Sequence, residues 1–412
     1  DLGDGVEAPG IVPDIHLIPG LWKIDGYSKI ADTIKARFAV TPGHNYFEFP
    51  YDWRRDNRVA ARRLARLSHD WLKAWRAASG RADAKLILVA HSMGGLVSRY
   101  FLECLDGWQD TRALITFGTP YRGALNALDF LANGMTKKVG PIPVLDVSDL
   151  LRSFTSTYQL LPIYACYDAG DGPPARVAEV TGIPNVDAEK AAAALTFHRQ
   201  IEAAVNGHLQ DEAYLRNRYA IHPMVGIFQP TLQSARLVGN RVELERARNG
   251  KDEGGDGTVP RVSATPIEFS NQGRETYIAD RHGSIQNGTA VLDQLVGVLS
   301  GLSFTDLAEV RVEPAVRLAL DIEDAYVADE PVRVRARSNS ETVDLQALVV
   351  NTASGSVAAQ ATLGLGDGGW LQTTVAPLPA GTYRVTVRDQ SDGDPDSAPA
   401  PVSDLFVVFD AT

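Results

Sequence analysis

Cysteine is scarce in this chain, with two in 412 residues, and that scarcity excludes a disulfide-stapled scaffold. Cys104 and Cys166 leave at most one bridge open, and no Cys/His spacing of the zinc-binding kind occurs. Cys104 falls in an apolar helical stretch, Tyr100 to Leu105, and reads as a buried thiol. Long apolar runs are missing as well. Stretches such as Leu86–Ala90 are far too short to cross a bilayer, so no transmembrane segment is expected. Surplus positive charge is absent: a net charge of −11 and an isoelectric point near 5.3 argue against nucleic acid as a main partner. The chain opens on Asp1 rather than Met, which reads as a processed or trimmed chain. A removed signal peptide stays open, and so do cytoplasmic and secreted locations.

What is present is the composition of a soluble globular protein, 44% hydrophobic and 22% charged, at a length that accommodates two or three domains. The stretch that organises the chain runs from Lys85 to Tyr100. The apolar run Leu86–Ala90 reads as a buried strand, and the residues after Gly94 read as a helix start. Between them lies Ala90-His91-Ser92-Met93-Gly94, a small-X-Ser-X-Gly sequence in the strand–turn–helix setting of a nucleophile elbow. A sharp turn there needs small residues two before and two after the serine, and Ala90 stands where glycine is usual. Such a turn lifts the Ser92 hydroxyl above the sheet. It also offers the Met93 N–H, at a helix N-terminus, to a developing oxyanion. The alternative, an ordinary strand-to-helix turn, needs none of these coincidences.

Read in order, strand-like and helix-like stretches alternate. Ile15–Gly20 and Tyr46–Tyr51 read as strands, Ile24–Phe38 and Val59–Trp75 as helices, and Ala113–Pro120 as another buried strand. Alternation of this kind predicts a mostly parallel sheet covered by helices on both faces, with its active site at the carboxyl ends of the strands. The arginines from Arg54 to Arg66 read as a solvated helix face with a local salt-bridge role, rather than as an anion site. From about 122 to 220 the pattern turns to Ala-rich helices and Pro/Gly segments with no obvious buried strand, which predicts a cap inserted over the site. Phe154, Tyr158, Leu160, Leu161, Ile163 and Tyr164 line an acyl pocket there or form the cap's own core. The sheet resumes near His222. A hairpin turns at Gly239-Asn240, a strand covers Thr276–Ala279 and a last helix runs from Gly288 to Leu299. After Ser303, seven alternating segments between Val316 and Phe409 predict a β-sandwich of about 100 residues. The four aspartates between Asp389 and Asp396 read as a solvated acidic hairpin rather than a calcium loop. The organisation expected is therefore α/β over 1–302, with the cap at about 122–220, and an accessory sandwich over 303–412.

A serine hydroxyl needs a base, and the base needs an orienting carboxylate. In a strand–elbow–helix arrangement the chain order is Ser, Asp or Glu, then His. Of eight histidines, His282 alone follows the last sheet strand in a Gly-containing loop. His91 adjoins the serine and points elsewhere. For the acid, Asp252, Glu253 and Asp256 are candidates. Asp256 is preferred because Gly254, Gly255 and Gly257 let the backbone bend tightly around it. No metal or other cofactor is expected.

Taken together, Tyr51-Asp-Trp-Arg, Ala90-His-Ser-Met-Gly-Gly-Leu-Val, Gly118-Thr-Pro-Tyr-Arg-Gly, Tyr158-Gln-Leu-Leu-Pro, Gly255-Asp-Gly-Thr-Val-Pro and His282-Gly resemble the lecithin:cholesterol acyltransferase (LCAT) family. That family includes phospholipid:diacylglycerol acyltransferases and lysosomal phospholipase A2. The resemblance covers roughly 15–300. It implies an α/β-hydrolase fold with cap and lid, acyl-ester substrates, and Ser92, Asp256 and His282 as the triad. In the family a loop upstream supplies the second oxyanion donor, and Leu21, after Pro19-Gly20, stands in for it here. The sandwich, taken as Ig-like, lies outside the resemblance, and its partner is unknown. The reading is a serine hydrolase or acyltransferase of lipid or phospholipid esters, with transient membrane-surface contact through the cap. Two alternatives stand beside it: a carboxylesterase, amidase or thioesterase on smaller substrates, and a non-catalytic binding protein that works through the sandwich.

Overall fold

The computed structural model describes residues 6–12, 16–18, 22–139, 142–170, 172–269, 275–301, 316–340, 343–390 and 399–410. A hairpin comes first, β1 (His16–Ile18) antiparallel to β2 (Trp22–Ile24). Helices α1 (Ser28–Arg37) and α2 (Asn57–Ser79) precede β3 (Leu86–His91), α3 (Gly94–Cys104) and β4 (Thr111–Phe117). Between β4 and the next sheet strand lie α4 (Leu125–Ala132), β5 (Thr136–Val139), β6 (Ile142–Asp146), α5 (Ser148–Ser153), α6 (Thr155–Gln159), β7 (Tyr167–Asp168), α7 (Ala188–His208) and α8 (Glu212–Asn217). Then come β8 (Ala220–Gly226), the hairpin β9 (Ser234–Val238) and β10 (Arg241–Glu245), β11 (Thr276–Ile278) and α9 (Thr289–Gly301).

The central sheet is parallel throughout, in the order β11-β8-β4-β3. Both its faces are covered, as a parallel sheet requires. Leu114 faces a core built with α2, α3 and α7, through Leu64, Leu96, Leu102 and Phe197. Its neighbours Ile115 and Phe117 face the opposite core, with Ile30 of α1 and Val291 and Leu295 of α9. Helix α2 is longer than its apolar spacing alone predicts, because both ends are capped. The Asp56 carboxylate accepts from the Arg58 N–H at 2.8 Å, and Gly80 adopts the left-handed conformation at the C-terminus.

Three expectations are corrected. Tyr46–Tyr51 forms no strand and has a single bridge between Pro42 and Tyr46. Its aromatic rings pack instead, with Phe47 stacked on Trp71 of α2 at 4.4 Å between centroids. The first strand pairs with β2 and not with the central sheet. The insertion does contain strands: β5 pairs with β6, and β7 joins β9 and β10 in a three-stranded sheet. These strands of two to five residues are too short to leave an apolar run. Of the residues expected to line a pocket or to form the cap's own core, Tyr158 and Leu161 lie in a core built largely by the insertion, Phe154 packs edge-on against Trp53, and Leu160 lines a cleft. The arginine row makes local ion pairs, and Arg62 and Arg66 are exposed. Arg54 and Arg58 pair with Asp52 and Asp56, and Arg58 lies over the Phe197 ring. Cys104 and Cys166 are both free. No helix of the described residues is long and apolar enough to cross a membrane.

Beyond 315 the chain forms two facing sheets. One holds β12 (Leu318–Asp321), β14 (Val332–Ser338), β18 (Leu371–Val375) and β17 (Gly364–Leu365); the other holds β13 (Ala325–Val327), β20 (Val402–Phe409), β19 (Gly381–Asp389), β15 (Leu345–Asn351) and β16 (Val357–Thr362). Residues of both close one apolar core. The alternation along β14 explains the packing: Val332, Val334 and Ala336 point inward, and Arg333, Arg335 and Arg337 alternate with them. All seven expected segments are strands; β13 and β17, of three and two residues, have no alternation to read. The acidic stretch falls largely at 391–398, outside the described residues.

Leu114 has no exposed surface at the centre of the sheet. Leu114→Ala is expected to lower unfolding free energy by about 2–5 kcal/mol in urea titrations.

Candidate active site

Ser92 sits where β3 turns into α3, with a φ of 53° that non-glycine residues rarely adopt. Neighbouring chain holds it there. Its N–H donates to the Phe117 carbonyl at 2.9 Å, and its carbonyl accepts from the Thr119 hydroxyl at 2.9 Å. The small residues around the turn work differently from the simple spacing argument. A Cβ at Gly94 would meet the Ala90 Cβ at 3.7 Å, an ordinary contact, whereas one at Gly95 would stand 2.2 Å from the Thr119 hydroxyl. Gly95, not Gly94, is the position where only glycine fits.

His282 follows β11 in a loop tied to its neighbours. Its N–H donates to the Asp256 carbonyl at 2.8 Å. Its ring Nδ1 lies 2.7 Å from Asp256 Oδ2, and Nε2 lies 2.9 Å from Ser92 Oγ. Since a carboxylate only accepts, Nδ1 carries the proton and Nε2 is left to accept from the serine hydroxyl. The Asp256 carboxylate is oriented from behind. Oδ1 accepts from the Thr258 N–H at 2.9 Å and the Val259 N–H at 2.7 Å, which leaves Oδ2 for the imidazole. Asp256 and His282 are buried. The other acid candidates are elsewhere: Asp252 accepts from Gln233 Nε2, and Glu253 pairs with Lys251.

Several contributors were given no role by the sequence. Gly118, at the end of β4, has a φ of 53°, and a Cβ there would lie 2.6 Å from Asp256 Oδ2 and 2.9 Å from His282 Nδ1. Gly226, at the end of β8, would place a Cβ 2.2 Å from that of Asp256. Two strand ends are thus bare so that carboxylate and imidazole can meet. His91 supports the loop from below. Its Nε2–H donates to the His282 carbonyl at 2.9 Å, and its Nδ1 accepts from the Tyr27 hydroxyl at 3.0 Å. Burial, reinforced by the neighbouring His282, pushes the His91 imidazole down to about 3, so it stays neutral and keeps that tautomer.

Met93 is buried at the start of α3, where an α-helix leaves its first N–H groups without intrahelical partners. Its N–H lies on the residue after the serine, where an anion would be stabilised. Leu21 lies outside the described residues. A cleft of about 200 Å³ opens over Ser92 and His282. Trp53, Ala124, Ala127, Phe130, Leu160 and Val259 give it an apolar wall, four of these coming from the segment between β4 and β8. Among the described residues no cluster of histidine, cysteine or carboxylates suits a metal ion. A hydroxyl, a singly protonated imidazole and a fixed carboxylate in line can move a proton off the serine and back.

Residues 21–204 match the family model described as lecithin:cholesterol acyltransferase. Ser92 lies within that match, and Asp256 and His282 lie beyond it. The lysosomal phospholipase A and acyltransferase of Homo sapiens is 32% identical over 131 residues, which is 30% of this chain and 30% of that protein. The Rattus norvegicus counterpart is 31% identical over 128 residues, again 30% of each. The match thus spans less than a third of these relatives. A Bacillus licheniformis lipase, BlEst2 in its mature form, is 16% identical in a solved structure, with a TM-score of 0.31, over 60% of this chain and 74% of that one.

Two predictions test the geometry. Gly118→Ala is expected to separate Asp256 from His282 and to lower the rate of Ser92 modification by an active-site-directed phosphonate about 100-fold, with a lowered melting temperature because alanine is strained at that positive φ. The second concerns Asp280, on the same loop as His282. Burial raises its carboxyl to about 7, with Lys29 opposing and Asp25 adding to the shift. The folded state therefore binds this proton more tightly than the unfolded chain does. Stability is lost as pH rises from about 4 to about 7 and is level above. Asp280→Asn should remove that slope, so the stability of the variant relative to the parent rises by about 4 kcal/mol between pH 4 and pH 8, read by denaturant unfolding.

Proposed function

We propose, for a chain that belongs to an LCAT-like family, that it is a serine hydrolase or acyltransferase of lipid acyl esters. The observation that carries this reading is the hydrogen-bonded line from Ser92 through His282 to Asp256 beneath an apolar-walled cleft. In this reading residues 1–302 form an α/β-hydrolase fold with a cap at about 122–220, and 303–412 form an Ig-like accessory domain. The parallel sheet, with its elbow and loops at one edge, supports that assignment.

His282 Nε2 takes the proton of Ser92 as Oγ attacks the ester carbonyl. Negative charge gathers on the carbonyl oxygen, where the Met93 N–H donates to it. The tetrahedral intermediate collapses, the C–O bond to the leaving alcohol breaks, and His282 returns the proton to that oxygen. Water or an acceptor alcohol, deprotonated in turn by His282, then attacks the acyl-enzyme and regenerates Ser92. Asp256 holds the imidazole in the productive tautomer and stabilises its charged form. The apolar wall suits an acyl chain, and a cap bearing part of that wall touches a lipid surface transiently while the chain enters.

A panel of p-nitrophenyl esters from acetate to palmitate, run beside phospholipid vesicles, tests the substrate class. Rates are expected to rise towards the longer chains, and acyl release from vesicles is expected. Turnover of acetate and butyrate alone would exclude a lipid substrate. Ser92→Ala should reduce ester turnover by about 10⁴-fold or more and abolish phosphonate labelling.

A further inference from the structure

We infer that the C-terminal sandwich is a working part of the catalytic centre, acting through Arg281 as a positioning residue for the His282 and Asp256 loops. The inference rests on the reading of Ser92, His282 and Asp256 as a triad and assigns the second domain a role in it.

Arg281 immediately precedes His282 and reaches out of the α/β body. One guanidinium nitrogen lies 2.7 Å from Asp404 Oδ2 on β20, and the other donates to the Leu320 carbonyl of β12 at 2.7 Å. Both side chains are almost wholly buried, with Arg281 14% and Asp404 3% exposed. Asp404 is oriented in turn, its Oδ1 accepting from the Leu405 N–H at 2.9 Å. The guanidinium also lies flat against Gly257, the residue after Asp256. A Cβ there would stand 3.1 Å from Arg281 Cζ. One side chain thus touches the loop of the base, the loop of the acid and both sheets of the sandwich.

A second anchor works beside it. Gln229 has no exposed surface. Its backbone N–H donates to the Gly255 carbonyl, next to Asp256, at 3.0 Å. Its side chain donates to the Leu318 carbonyl at 2.9 Å and accepts from the Leu320 N–H at 3.0 Å, as a neighbouring strand would. The edge of β12 is therefore bonded to residues flanking both members of the acid–base pair. Arg281, Asp404 and Asp324 also line the cleft over Ser92. A module that served only for attachment or spacing would have no need of these contacts. An imidazole displaced by about 1 Å loses most of its competence as a base, so a clamp on its loop bears on rate before it bears on binding.

The experiment uses the full chain, with phosphonate labelling at Ser92 and steady-state ester hydrolysis as readouts. Asp404→Ala and Arg281→Met are each expected to slow labelling and kcat 10- to 100-fold, with KM changed less than threefold. The two effects should be non-additive in the double variant, since they break one contact. Asp404→Asn keeps the accepting oxygen and should recover to within fivefold of the parent. Arg246→Ala, which removes a 3.8 Å ion pair to Asp321 across the same domain boundary, should leave kcat and labelling unchanged. Should Asp404→Ala fail to fold, Asp404→Asn and Arg281→Lys carry the comparison. Labelling and kcat within threefold of the parent in every Arg281 and Asp404 variant, with only the melting temperature lowered, would overturn the inference and leave the triad reading standing. A parent chain that takes no label at Ser92 while an ester is still turned over would overturn both.

Discussion

The whole site depends on a backbone conformation that its own residue does not favour. A serine held at positive φ costs about 1–3 kcal/mol and persists only where surrounding structure over-determines it. Here the constraint comes from β4 and the residues after it. The Phe117 carbonyl holds the Ser92 N–H, the Thr119 hydroxyl holds its carbonyl, and Gly95 lets α3 lie against Thr119 with no atom between. The elbow is a product of the parallel pairing of β3 with β4, and a change in that register would release the serine into an ordinary turn. The strain fixes where the hydroxyl stands before any substrate arrives.

With Ser92 fixed, its hydrogen-bonded partners must be brought to it from 164 and 190 residues away, Asp256 and His282 following Ser92 in the chain. Sheet order solves this. Strands β8 and β11 extend the sheet beyond β4 on the side away from β3, so their loops emerge at the same edge as the elbow. Convergence then becomes a packing problem. Gly118 and Gly226 solve it by omission: a methyl group at Gly118 would occupy the space of the Asp256 carboxylate and the His282 ring, and one at Gly226 would displace the Asp256 Cβ and backbone. The carboxylate itself is aimed by two backbone N–H groups, an economical device within a tight loop.

This division explains what could be read from the sequence. The elbow was legible because strand, turn and helix follow one another locally. His282 was legible because chain order excludes the other histidines, and the sandwich because period-two alternation is visible one strand at a time. The contacts made by Gly118, Gly226 and Arg281 were illegible for a common reason, although Gly118 opens one of the motifs read from the sequence. Each owes its role to a neighbour far along the chain, and nothing in the flanking residues records that neighbour. The misread strand at Tyr46–Tyr51 shows the opposite failure. Its aromatic composition suits a ladder, but Phe47 finds a better partner in Trp71. The short strands β5, β6 and β7 left no periodicity to find.

The remaining question is why an arginine and a carboxylate are buried together between two domains. Taking two charges out of water is costly, and such a pair seldom adds net stability over apolar side chains of the same size. What it adds is direction. The guanidinium fork meets Asp404 and the Leu320 carbonyl in one geometry, whereas an apolar contact would tolerate sliding. On the far side of the same loop, neutral His91 holds the His282 carbonyl and is itself held by Tyr27. The His282 peptide is thus gripped from the elbow beneath it and, through Arg281, from the sandwich beside it. An imidazole whose loop is held from two sides can be aligned more closely than either contact could manage alone. That gives a physical reason for the sandwich to sit against the edge of the sheet that carries Ser92, Asp256 and His282.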